Sequence, residues 1–419
     1  MMAKIFGLVR RRLATLVARL TNLHNAELRR LRSENRKLWA QLIDIEKEMI
    51  DTHVRLYSLE QGVRSDVSLS SPARRPKKSK TRDSLDNVIE ANLYRERQSL
   101  ILIPHLLELL PPGERIVIVD AGAREVDHDP RWRAFDPSRL KFVGFEPDAQ
   151  EAARLNTTRM IDGIEIQIVA AGLWGSTGTI NFQNNNIGGG SSFLSQNRQV
   201  TDRWKFENPD ESALARDIFF PVRHESINVV SLADWSREAD VGTVDFLKLN
   251  VQGGELEILQ GAGPVLDNVL GILVEMAFVE SYSKRPMFAD IDRFLSKSGF
   301  TFFDLLAHHY VGRAAAPIVA QRLIIVEPKL GQLVSSWGQL IEGHGLYLRD
   351  PISDKRSRPL KPDQVIKLAA LAEGFGQIEF AFELLQWLAG MSEADDPQLS
   401  KKLRAILKQS AEKYGEFQV

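Results

Sequence analysis

Hydrophobic positions in residues 28–59 recur at alternating spacings of three and four over more than four heptads, without proline or glycine. This period predicts a long helix that associates as a coiled coil. Asn35 would occupy a core position, where a buried amide fixes register and strand number at a cost in stability. A single amphipathic helix folded against the next domain is the alternative. The predicted core positions are Leu28, Leu31, Asn35, Leu38, Leu42, Ile45, Met49, Thr52, Leu56 and Leu59.

From residue 88 onward, short β-branched runs alternate with helical segments. This alternation predicts an α/β fold with a mostly parallel sheet covered by helices on both faces. The stretch Thr179–Val230 has few helical features and predicts an insertion of hairpin and loop. The predicted strands are Ile116–Asp120, Lys141–Glu146, Ile164–Ala170, Val244–Asn250, Gly271–Met276, Phe300–Leu305 and Arg322–Glu327.

Helical periodicity returns after residue 330. Pro362–Glu373 precedes Gly374, which is a typical helix stop. Ile378–Leu388 and Leu399–Lys413 follow as further helices, and the three are expected to form a small bundle or the start of a helical repeat. The domain organisation predicted is 1–63 for the N-terminal helix, 64–87 for a linker, 88–350 for the α/β domain and 351–419 for the C-terminal helical region.

Charge is divided unevenly along a chain that is nearly neutral overall. Residues 1–90 hold 19 Lys and Arg against 11 Asp and Glu, a net charge of +8, and the remainder is at −9. A basic arm on an acidic body suggests that the arm has its own partner. Its ARRPKKSKTR run is expected to be a solvated spacer, with contact to phosphates or to an anionic membrane as the alternative.

The chain has no cysteine, which excludes disulfides, thiolate catalysis and Cys-ligated metal sites. No apolar run approaches the roughly 18 residues that span a bilayer. The N-terminal segment lacks the features of a secretory signal, because three arginines interrupt its apolar stretch. The expected location is cytoplasmic, with a peripheral membrane position as the alternative. No metal-ligand spacing occurs, and we expect no metal.

Two strand ends carry residues suited to a nucleoside cofactor. The run IVIVDAGA places Asp120 at the end of a buried strand and Gly122 directly after it, where the backbone can approach a ligand closely. In FVGFEPD, Glu146 ends the next strand and is placed to accept hydrogen bonds from ribose hydroxyls. The absence of a full G-x-G-x-x-G motif argues against a pyrophosphate. S-adenosyl-L-methionine (SAM) is a cofactor with a ribose and no phosphate.

A third motif, VDFLKLNVQGGELEILQGAG at 244–263, ends a strand at Asn250 and restarts a helix after Gly253. It resembles the FkbM-type methyltransferases, in which Lys-(Leu/Ile)-Asp precedes a Gln/Glu-Gly-Ala-Glu-Leu-Glu turn. The resemblance covers about residues 95–350. Further matches in the family's order are FEPD at 145–148, Ser191-Ser192, VSLADW at 230–235, VEMAFVESY at 274–282, FADIDRFLSKSGFTFFDL at 288–305 and LYLRDP at 346–351.

The resemblance implies a Rossmann-like class I methyltransferase sheet over 88–350 and SAM as the cofactor. It further implies O-methylation of a hydroxyl on a glycan or other small metabolite, in an oligomer (dimer or trimer) assembled by the coiled coil. The residues expected to bind the cofactor are Asp120, Gly122, Glu146, Pro147, Ala170 and Asn250. Those expected to bind the acceptor are Ser191, Ser192 and Gln252.

Methyl transfer to a hydroxyl chiefly requires positioning of the acceptor, with a general base to remove its proton. Glu275, at a strand end, is the first candidate base, and His308 and His309 are the second. Asn250 is a catalytic candidate that stands where the family has aspartate, and Ala123 follows Gly122 where the family usually has another glycine. These two departures favour an alternative function, a catalytically weakened scaffold assembled through its coiled coil. Nucleic acid is disfavoured as a partner, because aromatic and basic residues do not interleave.

The segment Asn184–Ser192 is rich in asparagine and glycine and has little apolar anchoring. We expect it to form a mobile lid at the ligand crevice, with Ser191 and Ser192 donating hydrogen bonds to cofactor or acceptor. A hairpin turn remote from the site is the alternative.

Overall fold

A computed structural model describes residues 100–122, 130–157, 163–185, 190–207, 212–214, 221–239, 242–315, 321–325, 332–336, 338–353 and 359–416. The predicted coiled coil and the basic linker lie outside these ranges. Within the described residues, none of the helices is long and apolar enough to cross a bilayer. The helices and strands that follow are numbered in chain order.

The first half of the domain alternates strands and helices, as predicted. Its elements are α1 (Leu102–Leu109), β1 (Ile116–Ala121), β2 (Leu140–Phe145), α2 (Ala149–Thr157), β3 (Glu165–Val169), β4 (Gly172–Trp174), β5 (Gly178–Asn185), α3 (Arg198–Thr201), β6 (Trp204–Glu207), β7 (Ser212–Leu214), β8 (Pro221–Ser231) and α4 (Leu232–Ala239). Short 3-10 helices at Pro130–Ala134 and Pro137–Arg139 precede β2.

The second half contains the longer antiparallel strands and the C-terminal helices. Its elements are β9 (Phe246–Leu249), α5 (Glu255–Gly261), a 3-10 helix (Gly263–Asp267), β10 (Gly271–Ala277), α6 (Phe288–Lys297), β11 (Phe300–Arg313), β12 (Gln321–Ile325), β13 (Gln332–Ser336), β14 (Gln339–Arg349), α7 (Pro362–Gly374), α8 (Ile378–Asp395) and α9 (Pro397–Glu416). The three helices predicted at Pro362–Glu373, Ile378–Leu388 and Leu399–Lys413 are therefore confirmed. The return of helical structure directly after residue 330 is wrong, because β13 and β14 precede these helices.

The central sheet has the order β3-β2-β1-β9-β10-β14-β11-β6-β7. The pairs from β3 to β10 are parallel, whereas β14 is antiparallel to both β10 and β11. The predicted strand Arg322–Glu327 is not part of this sheet, because β12 pairs only with β13 in a separate hairpin. The prediction of a central sheet covered by helices is confirmed, but the sheet is not mostly parallel as predicted, because four of its eight strand pairs are antiparallel.

Side chains alternate between the two faces of the buried strands, so that the sheet has two hydrophobic cores. Ile118 of β1 belongs to one core, and its neighbour Val119 belongs to the other. The first core packs against α1 and α7 to α9, and Trp132 at its centre contacts the rings of Phe142 and Phe246 edge-on. The second core packs against α4, α5 and α6.

The C-terminal helices pack against one another, and they also cover one face of the sheet. The hydrophobic residues of α7 to α9 share a core with β1 and β2. On α7, buried Lys367 pairs with Asp245 at 3.0 Å, and the same Asp245 oxygen accepts the amide of Val117 at 2.9 Å. Periodicity could identify these helices, but it could not show that their apolar faces would pack against the sheet.

Glu373 of α7 connects the C-terminal helices to the start of α1. Its carboxylate, which is fully buried, accepts the backbone amides of Ile101, Leu102 and Ile103 at 2.8, 2.7 and 2.6 Å. The first amides of a helix have no partner within the helix, so these bonds satisfy groups that would otherwise be unpaired. Burial raises the pKa of Glu373, and the hydrogen bonds from Tyr414 and from the α1 amides act against that rise.

Replacing Glu373 should therefore destabilise the domain. Glu373→Ala leaves the amides of Leu102 and Ile103 without an acceptor, and Ile101 keeps only the Tyr414 hydroxyl at 3.3 Å. We expect a loss of about 2–4 kcal/mol in the free energy of unfolding, measured in urea. Glu379→Ala is the control, because Glu379 is exposed on α8, and its effect should stay within about 0.5 kcal/mol. Equal effects of the two substitutions would contradict the role assigned to Glu373.

Candidate functional site

A cavity of about 340 Å³ opens where β1, β2 and β9 end, on the carboxyl side of the parallel strands. This edge of an open α/β sheet is the usual place for a ligand, and the volume lies within the range of small-molecule sites. The lining residues come from the three strand ends and from the inserted strands β4, β5 and β8. They are Gly122, Phe145, Glu146, Pro147, Asp148, Gly172, Leu173, Phe182, Asn184, Ser191, Phe193, Glu225, Ile227, Lys248, Asn250, Val251 and Gln252.

The turn after β1 is built around Gly122. Its φ of 88° lies in the left-handed region, and a Cβ on this residue would be 2.3 Å from the carbonyl oxygen of Asn250. The amide of Asn250 donates to the carbonyl of Ala121 at 3.2 Å, which keeps the ends of β1 and β9 together. Only glycine can be accommodated at this distance from the Asn250 backbone, so Gly122 allows the ends of β1 and β9 to lie side by side at the cavity.

Asp120 and Lys248 are direct neighbours in the parallel β1–β9 pair. The Lys248 ammonium lies 2.9 Å from Asp120 Oδ2, and the carboxylate is almost fully buried. Lys248 lines the cavity, whereas Asp120 lies behind it and balances its charge. Asp120 therefore acts on the cavity through Lys248.

Glu146 follows directly after β2 and is also nearly fully buried. Its backbone amide donates to Val169, and its Oε1 accepts the amide of Asp148 at 3.0 Å. These two bonds fix the carboxylate at the cavity wall. The strand end thus presents an oriented anionic acceptor to any bound ligand.

The loop after β9 is held in an uncommon conformation. Gln252 has a φ of 58°, a conformation that costs a residue with a side chain free energy. The buried carboxylate of Glu255 accepts the amides of Val251 and Gly253, and Ser192 Oγ donates to the Gln252 carbonyl at 2.6 Å. These hydrogen bonds lock the loop, and strain held in this way is common at functional sites.

The Gln252 side chain joins Asn250 to a buried carboxylate. Its Nε2 donates to Asn250 Oδ1 at 3.2 Å and to Glu275 Oε1 at 2.9 Å, while its Oε1 accepts from Tyr282 at 3.3 Å. The Asn250 oxygen thus accepts one hydrogen bond from the protein, and the Asn250 amide nitrogen is a donor that it can offer to a ligand. Glu275 therefore lies one residue behind the cavity wall.

Glu275 belongs to a buried network of charges. Arg285 donates a hydrogen bond from Nη2 to Glu275 and another from Nη1 to Glu342, the latter at 2.9 Å. The side chains of Arg285 and Glu275 are each 1% exposed. Burial raises the pKa of Glu275 well above its usual value, assisted by the charge of Glu342. Burial opposes the charge of Arg285, but the neighbouring carboxylates raise its pKa overall.

The outer end of this network reaches two histidines. His309 Nδ1 lies 3.1 Å from Glu342 Oε1, and this contact raises the pKa of His309. The pKa of Glu342 is lowered in spite of its burial, because His309 and Arg285 hydrogen-bond to it. Burial lowers the pKa of His344 to about 4. The positive charge of Arg285 thus lies between the carboxylates of Glu275 and Glu342, and His309 contacts Glu342 from the other side.

Six of the predicted site residues line the cavity. They are Gly122, Glu146, Pro147, Ser191, Asn250 and Gln252. Asp120 lies behind Lys248, and Ala170 is exposed in the turn after β3, outside the lining. Glu275 contacts Gln252 and does not line the cavity, contrary to the position expected of a base. His309 contacts Glu342, and only the backbone of His308, in β11, is described.

The segment predicted as a lid is anchored at both described ends. Asn185 donates its amide to Ser191 Oγ at 3.0 Å, and Gln183 and Ser192 exchange backbone hydrogen bonds. Ser191 lines the cavity as predicted, but Ser192 does not. The Ser192 hydroxyl is fully buried and bonds to the Gln252 carbonyl, because this carbonyl needs a donor in the strained loop. Residues 186–189 lie outside the described residues.

Eleven of the seventeen lining residues were not among the predicted site residues. Of these, Phe182 and Glu225 lie on β5 and β8, within the stretch predicted as hairpin and loop, and Asn184 begins the segment predicted as a lid. The alternation of polar and apolar residues in this stretch could have indicated a strand with one face toward a ligand. It could not have shown that the two strands pair next to the ends of β1 and β9.

The central sheet, the helices on its two faces and the cavity at its carboxyl edge define a methyltransferase-like α/β domain. Residues 120–302 match the methyltransferase FkbM domain. This match lies within the part of the chain that resembles the FkbM-type methyltransferases in sequence, and it agrees with that resemblance.

The chain is also similar to solved structures of methyltransferases. The methyltransferase FkbM of Methylobacillus flagellatus KT is 14% identical, with a TM-score of 0.28, and the match covers 57% of this chain and 45% of that protein. Magnesium protoporphyrin IX methyltransferase of Synechocystis PCC 6803 is 9% identical with a TM-score of 0.28, over 66% of this chain and 87% of that one. The chain thus spans less than half of the Methylobacillus protein. Curated proteins gave no match.

Proposed function

We propose that the chain transfers a methyl group from SAM to a hydroxyl group on a glycan or another small hydroxylated metabolite. The observation that carries the proposal is the cavity at the carboxyl edge of the sheet, with the oriented carboxylate of Glu146 and the amide of Asn250 in its wall. A carboxylate at the end of the second strand is suited to accept hydrogen bonds from the two ribose hydroxyls.

The chemistry of the lining residues fits a nucleoside without phosphates. Among the described lining residues, Lys248 is the one cation, and Asp120 compensates its charge. A diphosphate would require more basic groups or a glycine-rich row of amides. Gly122, Glu146, Pro147 and Asn250 would hold the cofactor, with the close turn at Gly122 allowing the backbone to approach it.

SAM supplies an electrophilic methyl group on a sulfonium that is already a good leaving group. The chain's own residues therefore have to bind the acceptor in line with that methyl group and exclude water. Asn250 offers an amide nitrogen to an oxygen of the ligand, and Gln252 fixes the orientation of that amide. The contact between Gln252 and Glu275 supports a positioning role for Glu275, since a base must reach the acceptor directly or through one water.

Transfer of radiolabelled methyl groups from SAM to a mixture of hydroxylated acceptors tests this function. The wild type should label a hydroxyl-bearing product, and Glu146→Gln should lower kcat/KM for SAM by at least about tenfold, because a ribose hydroxyl then faces an amide. Glu238→Gln is the control, since Glu238 is an exposed carboxylate on α4, and its kcat/KM should equal that of the wild type.

The weakened scaffold is the second candidate, favoured by Asn250 in place of the family's aspartate. If the chain is such a scaffold, SAM should bind but no methyl group should be transferred to any acceptor in the mixture. Glu146→Gln should also leave cellular function intact, whereas deletion of residues 1–65 should abolish it. Product formation that depends on Glu146 would exclude the scaffold.

The proposal further includes self-association through residues 28–59 and a cytoplasmic location. The basic arm would be a solvated linker, and the alternative is that it contacts an anionic membrane surface. The heptad pattern and the net charge of +8 in residues 1–90 support it. Light scattering of the full chain should give a dimer or trimer, and a monomer at micromolar concentration would exclude the coiled coil.

A further inference from the structure

The inserted strands β5 and β8 present a continuous face to the cavity. In their antiparallel register Phe182 is opposite Glu225, and Ile180 is opposite Ile227. Alternate residues of a strand share a face, as do directly opposed residues of paired strands. Phe182, Asn184, Glu225 and Ile227 therefore lie on one face, and all four line the cavity. The site thus has a second wall, distinct from the strand ends that carry Glu146 and Asn250.

Aromatic rings form the apolar part of this wall. The rings of Phe182 and Phe193 are 5.0 Å apart, and Phe193 lies 4.7 Å from Trp174. Phe182 and Phe193 are only partly buried, although a closed core would bury such rings completely. They therefore offer ring surface that a ligand in the cavity can cover.

Beside these rings lies a pair of hydrogen-bond acceptors. Asn184 Nδ2 and Arg223 Nη2 both donate to the same oxygen of Glu225, the latter at 2.9 Å. Within the described residues this leaves Glu225 Oε2 and Asn184 Oδ1 as adjacent acceptors for a ligand. Two neighbouring acceptors require two donors, which vicinal hydroxyl groups supply.

The charge of this wall favours a neutral ligand over an amine. The guanidinium of Arg223 compensates the carboxylate of Glu225, although both groups are partly exposed to solvent. An ammonium would therefore meet a carboxylate that is already paired. A sugar ring combines C–H faces, which suit aromatic rings, with rows of hydroxyl donors, which suit paired acceptors.

We propose that the cavity-facing side of β5 and β8 is the acceptor subsite, and that it binds a neutral sugar ring through Phe182, Asn184 and Glu225. The proposal rests on the proposed function in that the sugar would be the methyl acceptor. It adds residues outside the cofactor wall, and it selects neutral sugars among the hydroxylated acceptors.

Saturation-transfer NMR on the full chain, with and without S-adenosylhomocysteine, tests the subsite. The probes are the methyl glycosides of D-mannose, D-glucose and L-rhamnose, with D-glucosamine as the amine probe. We expect at least one neutral glycoside to bind the wild type and to bind Glu225→Gln at least about fivefold more weakly, because one acceptor becomes a donor. Asn184→Ala should act in the same direction.

His224→Gln is the matched control, because His224 adjoins Glu225 on β8 with its exposed side chain on the opposite face. It should bind the glycoside as the wild type does. SAM affinity, measured by titration calorimetry on the same samples, should stay within about twofold of the wild type for all three variants, since none belongs to the cofactor wall.

The possible failures are distinguishable. If SAM binds but no neutral glycoside does, or if Glu225→Gln binds glycoside as the wild type does, the sugar subsite is wrong and the proposed methyl transfer stands. Stronger binding of D-glucosamine than of every neutral probe would also overturn it. If SAM does not bind but a glycoside binds and depends on Glu225, the subsite stands and the methyltransferase function fails.

Discussion

Arg285→Met is expected to lower the free energy of unfolding by about 3–5 kcal/mol. Arg285 is buried between the carboxylates of Glu275 and Glu342, and also donates to Ser281. Without the guanidinium, two carboxylates remain close together in a region from which water is excluded. One of them must then bind a proton or the surrounding packing must open. Urea denaturation followed by circular dichroism measures the change.

A solvent-exposed ion pair provides the control for this substitution. Arg237 pairs with Asp234 at 2.6 Å on α4, with its side chain 70% exposed. Arg237→Met should cost less than about 1 kcal/mol, because exposed pairs are screened by water. Arg285→Met combined with Glu275→Gln should recover part of the loss by removing one charge. A loss no larger than that of Arg237→Met would contradict the buried network.

Gly122→Ala is expected to disrupt both folding and cofactor binding. The new methyl group would lie 2.3 Å from the Asn250 carbonyl oxygen, and backbone cannot yield as a flexible side chain can. We expect destabilisation by about 3 kcal/mol or more and SAM affinity reduced by at least about tenfold, as the ends of β1 and β9 move apart. Thermal unfolding and calorimetric titration measure the two effects.

Gly113→Ala is the control that separates the effect of the steric contact at Gly122 from the effect of a left-handed backbone conformation. Gly113 also has a left-handed φ, of 80°, but nothing lies within 4 Å of the position of a Cβ. Its substitution should therefore cost only the conformational term, about 1–2 kcal/mol, and leave SAM affinity unchanged. If the two alanine variants behave alike, the steric contact with Asn250 is not what makes Gly122 necessary.

The sequence predicts the parallel half of the sheet well, because buried strands appear as short apolar runs bounded by turns. Ile116–Asp120 and Gly271–Met276 differ from the observed β1 and β10 by a single residue at one end. The antiparallel half of the sheet is harder to predict from the sequence. The insertion of β14 between β10 and β11 depends on pairing between residues far apart in the chain, and local periodicity has no information on that pairing.

The candidate site divides in the same way. Gly122, Glu146 and Asn250 could be identified because each directly follows a strand, and strand ends of a parallel sheet share one edge. Glu275 lies two residues before the end of β10, yet it faces Arg285 and Gln252 and does not reach the cavity. Whether a polar strand-end residue faces a ligand or a buried partner depends on tertiary packing. The same limit applies to Ser192 and to the wall formed by β5 and β8.

Binding of SAM to the full chain tests the central claim most directly. Isothermal titration calorimetry of the wild type should show one site per chain with a dissociation constant of about micromolar order, and Glu146→Gln should weaken it at least about tenfold. NAD should produce no binding heat, because no G-x-G-x-x-G motif follows β1 in the sequence. Absence of SAM binding at millimolar ligand, or equal affinity of wild type and Glu146→Gln, would contradict the account.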